Sequence, residues 1–189
     1  MYWILMSERS NKNELSIDIL PPFFDSLNIS FDYGNIINTA IPVIDIHFSN
    51  TNKSVMTDNL VAPPRTGLLI NAKVKEIFDT LKIDNIQYFK SRLIDENTKA
   101  INSDYCLANI MGKISCVDKS QSELELFPDG DIRFIDKLVL NLNDTINYGH
   151  IFRLAEYSTL LLISNELKIA LSANNVTGFQ MYKPENFSL

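Results

Sequence analysis

The sequence predicts an α+β protein: a mostly antiparallel sheet with two similar strand–helix–strand units and an irregular N-terminal quarter. Two observations carry this prediction. A helix with one apolar face stands between apolar strands, and this plan occurs twice in the chain. The segments before and between the two units show mainly strand and turn signals. Since 189 residues suffice for one sizeable core, we expect a single domain over residues 1–189.

The first unit lies within residues 66–90. A short apolar strand, 68–70, leads to Asn71, which is a good N-cap residue. Apolar residues then recur with the spacing of one helix face, at Val74, Ile77, Phe78 and Leu81. Residues 86–94 follow as a longer strand. We expect this helix to pack its apolar face against a sheet.

The second unit, residues 159–183, repeats this plan. Its ungapped alignment with residues 66–90 gives seven identities in 25 positions: Thr66/Thr159, Leu68/Leu161, Leu69/Leu162, Ile70/Ile163, Lys75/Lys168, Gln87/Gln180 and Lys90/Lys183. Ser164 stands at the N-cap position that Asn71 takes in the first unit. A duplication and common packing constraints both account for the similarity. In either case we expect both helices on one sheet, with right-handed crossovers.

The rest of the chain shows strand and turn signals. Residues 2–6 predict an opening strand, and residues 7–50 are mostly turns. Within them, 42–48 predicts an edge strand because its proline lies near its start. Five further strands are predicted at 105–110, 114–117, 123–127, 132–142 and 151–154.

Charge and targeting signals narrow the class of partner. The formal net charge is −6, from 17 basic and 23 acidic residues. Such a chain repels phosphate backbones and attracts basic proteins, so we expect no nucleic-acid partner. The only early apolar run, residues 2–6, is too short for a signal peptide or a membrane span. We therefore expect a soluble, cytoplasmic protein that begins at its first residue; no sequence feature sets its oligomeric state.

Motifs for catalysis and cofactor binding are absent from the sequence. The histidines, His47 and His150, lie far apart and outside any zinc-ligand pattern. No two of the six glycines are close enough for a phosphate-binding loop. Cys106 and Cys116 fall in predicted strands, where nothing stabilises a thiolate, and we expect two reduced, half-buried thiols. We predict a protein that is not an enzyme, with no catalytic residue, cofactor or metal.

One constellation has a candidate function: the acidic stretch over residues 118–136. Alternation along a predicted strand places Glu123 and Glu125 on one face, and Asp129 and Asp131 lie in the turn that follows. This stretch is a solvated strand face, a docking surface for a basic partner or a divalent-metal site. The fixed spacing of an EF-hand loop is missing. We take the four acids as candidate partner-binding residues.

Arg153 and Trp3 each allow a structural and a functional interpretation. Arg153 lies among apolar residues in a predicted strand, as a strand-edge charge or as a partly buried group paired with a carboxylate. Trp3 is of a type enriched at interfaces. Its place near the start of a core strand favours packing instead.

Seven short segments, read in order, resemble one known family. They are residues 2–5 (YWIL), 56–60 (MTDNL), 67–70 (GLLI), 105–110 (YCLANI), 116–118 (CVD, with Ser122), 151–154 (IFRL) and 164–167 (SNEL). Together they resemble the myxococcal-type immunity-protein domain of bacterial polymorphic toxin systems, formerly a domain of unknown function. The resemblance covers nearly the whole chain and depends on the order and spacing of the segments.

The resemblance implies an α+β fold and a non-enzymatic role. Such a protein binds and neutralises a cognate toxin domain in the producing or sibling cell, here by steric occlusion, and the acidic charge suits a basic toxin such as a nuclease. The resemblance carries over no catalytic residue. Asp58, Asn59, Asn109 and Asp118 are family-like polar positions that we expect to organise turns. The alternatives are a small metal-dependent enzyme using the acidic stretch 118–136, and an adaptor subunit of an unrelated assembly.

Overall fold

The chain forms three β-sheets and two packed helices in a computed structural model, which describes residues 1–50, 54–143 and 146–189. The strands are β1 (Tyr2–Ser7), β2 (Ile44–Phe48), β3 (Asn59–Leu60), β4 (Leu68–Asn71), β5 (Ile86–Asp95), β6 (Ile101–Asn102), β7 (Tyr105–Ile110), β8 (Lys113–Ile114), β9 (Glu123–Leu126), β10 (Ile132–Lys137), β11 (Ile151–Leu154), β12 (Tyr157–Ser164) and β13 (Phe179–Tyr182). The helices are α1 (Phe23–Ser26), α2 (Ala72–Thr80) and α3 (Asn165–Ala173), with a 3₁₀ turn at Pro184–Asn186.

Pairing within the sheets is mostly antiparallel, which confirms the predicted α+β class. One sheet has the order β13-β1-β12-β11-β8. A second has the order β2-β5-β7-β4-β3, with β6 also paired to β5, and β9 and β10 form a separate hairpin. Among these strand pairs, only β2 with β5 and β8 with β11 are parallel. The predicted edge strand is β2, and the only regular element between it and β1 is the short α1, so the N-terminal quarter is irregular as expected.

Each strand–helix–strand unit encloses a third strand from elsewhere in the chain. In the first unit β4 and β5 flank β7, and in the second β12 and β13 flank β1. The pairing registers also correspond under the alignment of the two units: Ile70–Cys106 with Ile163–Trp3, and Ile86–Ile110 with Phe179–Ser7. The structural repeat is therefore larger than the segments that align in sequence.

Both helices begin at the predicted caps. The side chain of Asn71 accepts a hydrogen bond from the backbone N–H of Val74, and Ser164 does the same for Leu167. The expectation that both helices lie on one sheet was wrong, because each unit is completed by its own middle strand in its own sheet. The two sheets and both helices instead share one apolar core.

Two hydrogen bonds at corresponding positions join the first sheet and its loops to the second. Asn85, just before β5, donates its side-chain amide to the carbonyl oxygen of Ile151 at 2.9 Å. Asn59 donates its amide to the carbonyl oxygen of Gly178, the position aligned with Asn85, also at 2.9 Å. A Cβ atom at Gly178, whose φ is +86°, would lie 1.9 Å from the Asn59 carbonyl oxygen. Only glycine fits there.

Asp58 ties the start of α2 to the loop before β13. Its Oδ1 accepts a hydrogen bond from the side-chain amide of Asn71 at 2.9 Å. Its Oδ2 accepts bonds from the backbone N–H and hydroxyl of Thr177, at 2.9 and 3.0 Å, and from Lys73 Nζ at 3.1 Å. Partial burial raises the pKa of this carboxyl, but the hydrogen bonds from Thr177, Asn71 and Lys73 outweigh burial and lower it overall. A single charged group therefore links the two units.

We expect Asp58→Asn to lower the free energy of unfolding at pH 7 by about 1–2 kcal/mol, because charge-assisted hydrogen bonds are lost. The folded-state pKa lies below the ordinary value of 3.8, so the stabilisation is present above that value and is lost as pH falls through the folded pKa. Urea unfolding at neutral and acidic pH should show the difference from wild type shrink in acid. Exposed Asp84→Asn is the matched control; a difference that is independent of pH would contradict this account.

Arg153, in β11, matches neither of its two expected roles. The residue is only 2% exposed, and the structure pairs its guanidinium with three backbone carbonyl oxygens. Nε donates to Ile110 at 3.0 Å, Nη1 to Ser158 at 3.0 Å and Nη2 to Phe31 at 2.7 Å. Burial lowers its pKa to about 10, against the opposing charge of Asp32, so it stays charged at neutral pH. Arg153 therefore joins β7, β12 and the N-terminal segment.

Candidate partner-binding surface

The four candidate acids lie together on the hairpin of β9 and β10. The hairpin is inserted between the two repeated units, and within the described residues its strands pair only with each other as a sheet. Ile132 and Ile135 are buried on its inner side, in an apolar core that also contains Phe152 and Leu162. This packing holds the hairpin against the scaffold and leaves its other face exposed.

All four acids are exposed, and all four belong to this one hairpin. Glu123 and Glu125 stand on β9, while Asp129 and Asp131 belong to the turn that leads into β10. Glu125 Oε1 accepts a hydrogen bond from Arg133 Nη1 at 2.8 Å. Among the ion pairs of the described residues, Glu125 is the only one of the four with a partner. The hairpin therefore presents surplus negative charge to its surroundings.

Three apolar side chains share this exposed region. Leu126, Phe127 and Phe134 are 45%, 48% and 44% exposed. The guanidinium carbon of Arg133 lies 5.9 Å from the ring centroid of Phe127 and 5.3 Å from that of Phe134. We call the four acids together with Leu126, Phe127, Arg133 and Phe134 the hairpin surface. The sequence analysis missed its apolar part, although the same alternation that pairs Glu123 with Glu125 also places Phe127 on their face.

A groove of about 460 Å³ runs beside the hairpin turn. Phe127, Asp129, Asp131 and Ile132 of the hairpin line it, together with residues 155–159 of the β11–β12 turn and the start of β12. Its third carboxylate belongs to Glu156, whose Oε1 accepts bonds from the hydroxyl of Ser115 and the backbone N–H of Val117. Glu156 Oε2 is buried without a hydrogen-bond partner among the described residues. No sequence signal connects Glu156 to the hairpin, because only the fold brings the two turns together.

The first acid of the stretch has a local structural role. Asp118 Oδ1 accepts hydrogen bonds from the backbone and hydroxyl of Ser120 and from the backbone N–H of Gln121. Its Oδ2 accepts a bond from the side chain of Gln121. The bonds from Ser120 and Gln121 lower the pKa of Asp118. Asp118 therefore organises a turn, as expected, and is not part of the hairpin surface.

Another groove, of about 520 Å³, lies beside the start of α2. Of its three basic residues, Lys75 and Arg92 are paired within the chain, with Asp79 at 2.5 Å and Asp45 at 2.7 Å, whereas Lys90 forms no ion pair among the described residues. These internal pairs reduce the charge that the groove offers to a partner. The hairpin surface has more unpaired charge and more exposed aromatic area, so we take it as the candidate site.

The histidines and cysteines considered as catalytic or metal-binding residues do not come together in one site. His47 pairs with Glu96, and His150 Nδ1 lies 3.0 Å from the hydroxyl of Ser164. Both cysteines are free, and burial raises the pKa of Cys106 to about 11 and that of Cys116 to about 12, so they are thiols at neutral pH.

In residues 1–50, 54–143 and 146–189, no group of three or more His, Cys, Asp or Glu side chains is arranged to hold a metal ion. No helix in these ranges is long and apolar enough to cross a membrane.

Comparison with known families assigns the class of this α+β protein. The immunity protein family Imm11 matches residues 41–186. The chain belongs to this family, which confirms the resemblance seen in its short segments. The hairpin surface lies inside the matched region, whereas β1 lies outside it. A comparison with curated proteins found no match.

Proposed function

We propose that this chain is a non-enzymatic immunity protein that binds a cognate toxin domain through the hairpin surface and blocks it by steric occlusion. Membership of the Imm11 family supports the immunity role. The observation that carries the choice of surface is the surplus of exposed acids on a hairpin outside the repeated scaffold. An acidic surface suits a toxin with a basic face, as a nuclease needs for its phosphate substrate.

Occlusion needs no chemistry from the immunity protein. A carboxylate surface docked over a basic active-site cleft occupies the positions that substrate phosphates would take. It also excludes substrate from the cleft by volume. Inhibition of this kind requires one immunity protein for each toxin molecule, acting in the cytoplasm of the producing or sibling cell.

Co-expression tests the proposal directly. The first step is to find whether the gene immediately upstream of this chain's gene encodes a toxin domain, as the proposal expects. Cells that express that domain should stop growing, and co-expression of the chain should restore growth. With purified proteins, toxin activity should fall in proportion to added chain and reach its minimum at equimolar amounts. Loss of toxin activity at substoichiometric amounts would indicate catalysis, and failure to restore growth would refute the immunity role.

Charge reversal tests the proposed surface. We expect replacement of Glu123, Glu125, Asp129 and Asp131 by Lys to slow association with the toxin domain about tenfold or more at low salt. The effect should diminish at high salt, because exposed charges are screened. Stopped-flow binding at two ionic strengths measures it.

The matched control has the same change in net charge at four exposed acids outside the hairpin: Asp18, Glu76, Asp84 and Glu185. If long-range attraction depended only on net charge, the hairpin variant and the control variant would show the same decrease in association rate. Equal slowing would therefore move the interface away from the hairpin.

A further inference from the structure

We propose that Phe127 and Phe134, supported by Arg133, form the apolar anchor of the toxin interface and enter an apolar depression on a basic face of the toxin. This inference rests on the proposed function and deepens it. It assigns two roles within the hairpin surface: the acids attract the partner, and the two rings hold it.

The exposure of these two rings is exceptional within the chain. All eleven phenylalanines lie in described residues, and nine of them are buried or half-buried. The two exposed ones, Phe127 and Phe134, are both on the hairpin, next to exposed Leu126. Large apolar side chains clustered on a surface mark interaction sites, whereas single exposed ones need no explanation. The cluster therefore indicates an interface.

Both rings have contacts within the chain that restrict their movement. Arg133 contacts both rings through its guanidinium and is itself bonded to Glu125 at 2.8 Å. Buried Ile132 and Ile135 hold the strand beneath them. Side chains that are already ordered lose less conformational entropy on binding. Aromatic and arginine side chains in such settings contribute much of the binding free energy of protein interfaces.

Charge identifies the occupant of this surface. Asp129 and Asp131 line the same groove as Phe127, and Glu123 stands on β9 opposite Lys137. None of these three acids forms an ion pair among the described residues. An apolar centre with an acidic rim is complementary to an apolar depression bordered by Lys or Arg. A second copy of this chain would bring the same acids face to face, which is unfavourable. The occupant is therefore a basic protein.

The test measures binding kinetics of the full chain with the upstream-encoded toxin domain. We expect Phe127→Ala and Phe134→Ala each to raise the dissociation rate about tenfold or more, with little change in the association rate. A charge-reversal variant limited to Glu123, Asp129 and Asp131, which keeps the bond between Glu125 and Arg133, should show the opposite pattern. Ile169→Ala on α3 and Ile101→Ala on β6 are controls, since those side chains are 56% and 59% exposed. Both should dissociate at the wild-type rate.

Thermal unfolding of each variant shows whether the fold is intact, and Phe127→Leu offers a milder change of the same side chain. If wild type binds the toxin domain and folded Phe variants dissociate no faster, the anchor is refuted while the immunity role stands. If wild type does not bind that domain, the proposed function itself fails. If the chain self-associates and Phe127→Ala abolishes this in ultracentrifugation, the occupant is a second copy, and the inference is overturned.

Discussion

We expect a chain that starts at residue 41 to be unable to fold, although the Imm11 match begins there. The missing part includes β1, which lies between β12 and β13 and pairs with both. Ile4 and Leu5 on this strand are 0% and 2% exposed and belong to two different apolar cores. Without β1, the second unit has no middle strand, and the backbone groups of both flanking strands lose their partners. We propose that residues 1–189 form one folding unit.

Circular dichroism and urea unfolding of the shortened chain measure this effect. The expected result is loss of the cooperative transition. A circular permutant with residues 1–40 joined after residue 189 through a flexible linker is the control, because it restores β1 without restoring the original N-terminus. A cooperative transition in the shortened chain at the wild-type midpoint would show that the family boundary is the folding boundary.

The second large effect is expected at Arg153. Replacement by Met keeps much of the side-chain volume but removes the guanidinium N–H groups that donate to the backbone carbonyl oxygens of Phe31, Ile110 and Ser158. Three carbonyl oxygens then lose their bonds, with little water to replace the donor. The expected loss in free energy of unfolding is about 3–5 kcal/mol, because three hydrogen bonds from a charged donor contribute about 1.5–3 kcal/mol each and removal of the buried charge offsets part of that loss.

Urea unfolding of Arg153→Met and Arg153→Lys tests this account. The lysine variant keeps the charge but lacks the planar array of donors, so we expect an intermediate midpoint. Arg133→Met, at an exposed arginine, should leave the midpoint close to wild type. A midpoint for Arg153→Met equal to that of Arg133→Met would mean that the three bonds contribute little.

Local chemistry predicted the parts of the fold that depend on neighbouring residues. The caps Asn71 and Ser164 and the apolar faces of α2 and α3 follow from spacing over a few positions. The hairpin turn after Phe127 is also a local signal. The acids of the hairpin surface were found for this reason.

Sequence patterns over a few residues could not predict which distant strands pair with each other. A short apolar strand such as β1 or β7 carries no information on which partner it joins, since any apolar strand satisfies its backbone groups. The sequence-based expectation of one sheet failed at this step. Arg153 shows the same limit: two of its three carbonyl partners, Ile110 and Phe31, come from distant segments, and the neighbours of Arg153 in sequence do not reveal them.

The sequence by itself determined the α+β class, the two strand–helix–strand units, the excess of negative charge and the family, because these depend on composition, periodicity and short ordered segments. Only the tertiary structure decided that each unit completes its own sheet with a strand from elsewhere. It alone showed that Phe134 is exposed beside Phe127 and that Glu156 lies beside the hairpin turn. The physical reason is that exposure and contact at these positions depend on long-range packing, and periodicity within one strand does not encode it.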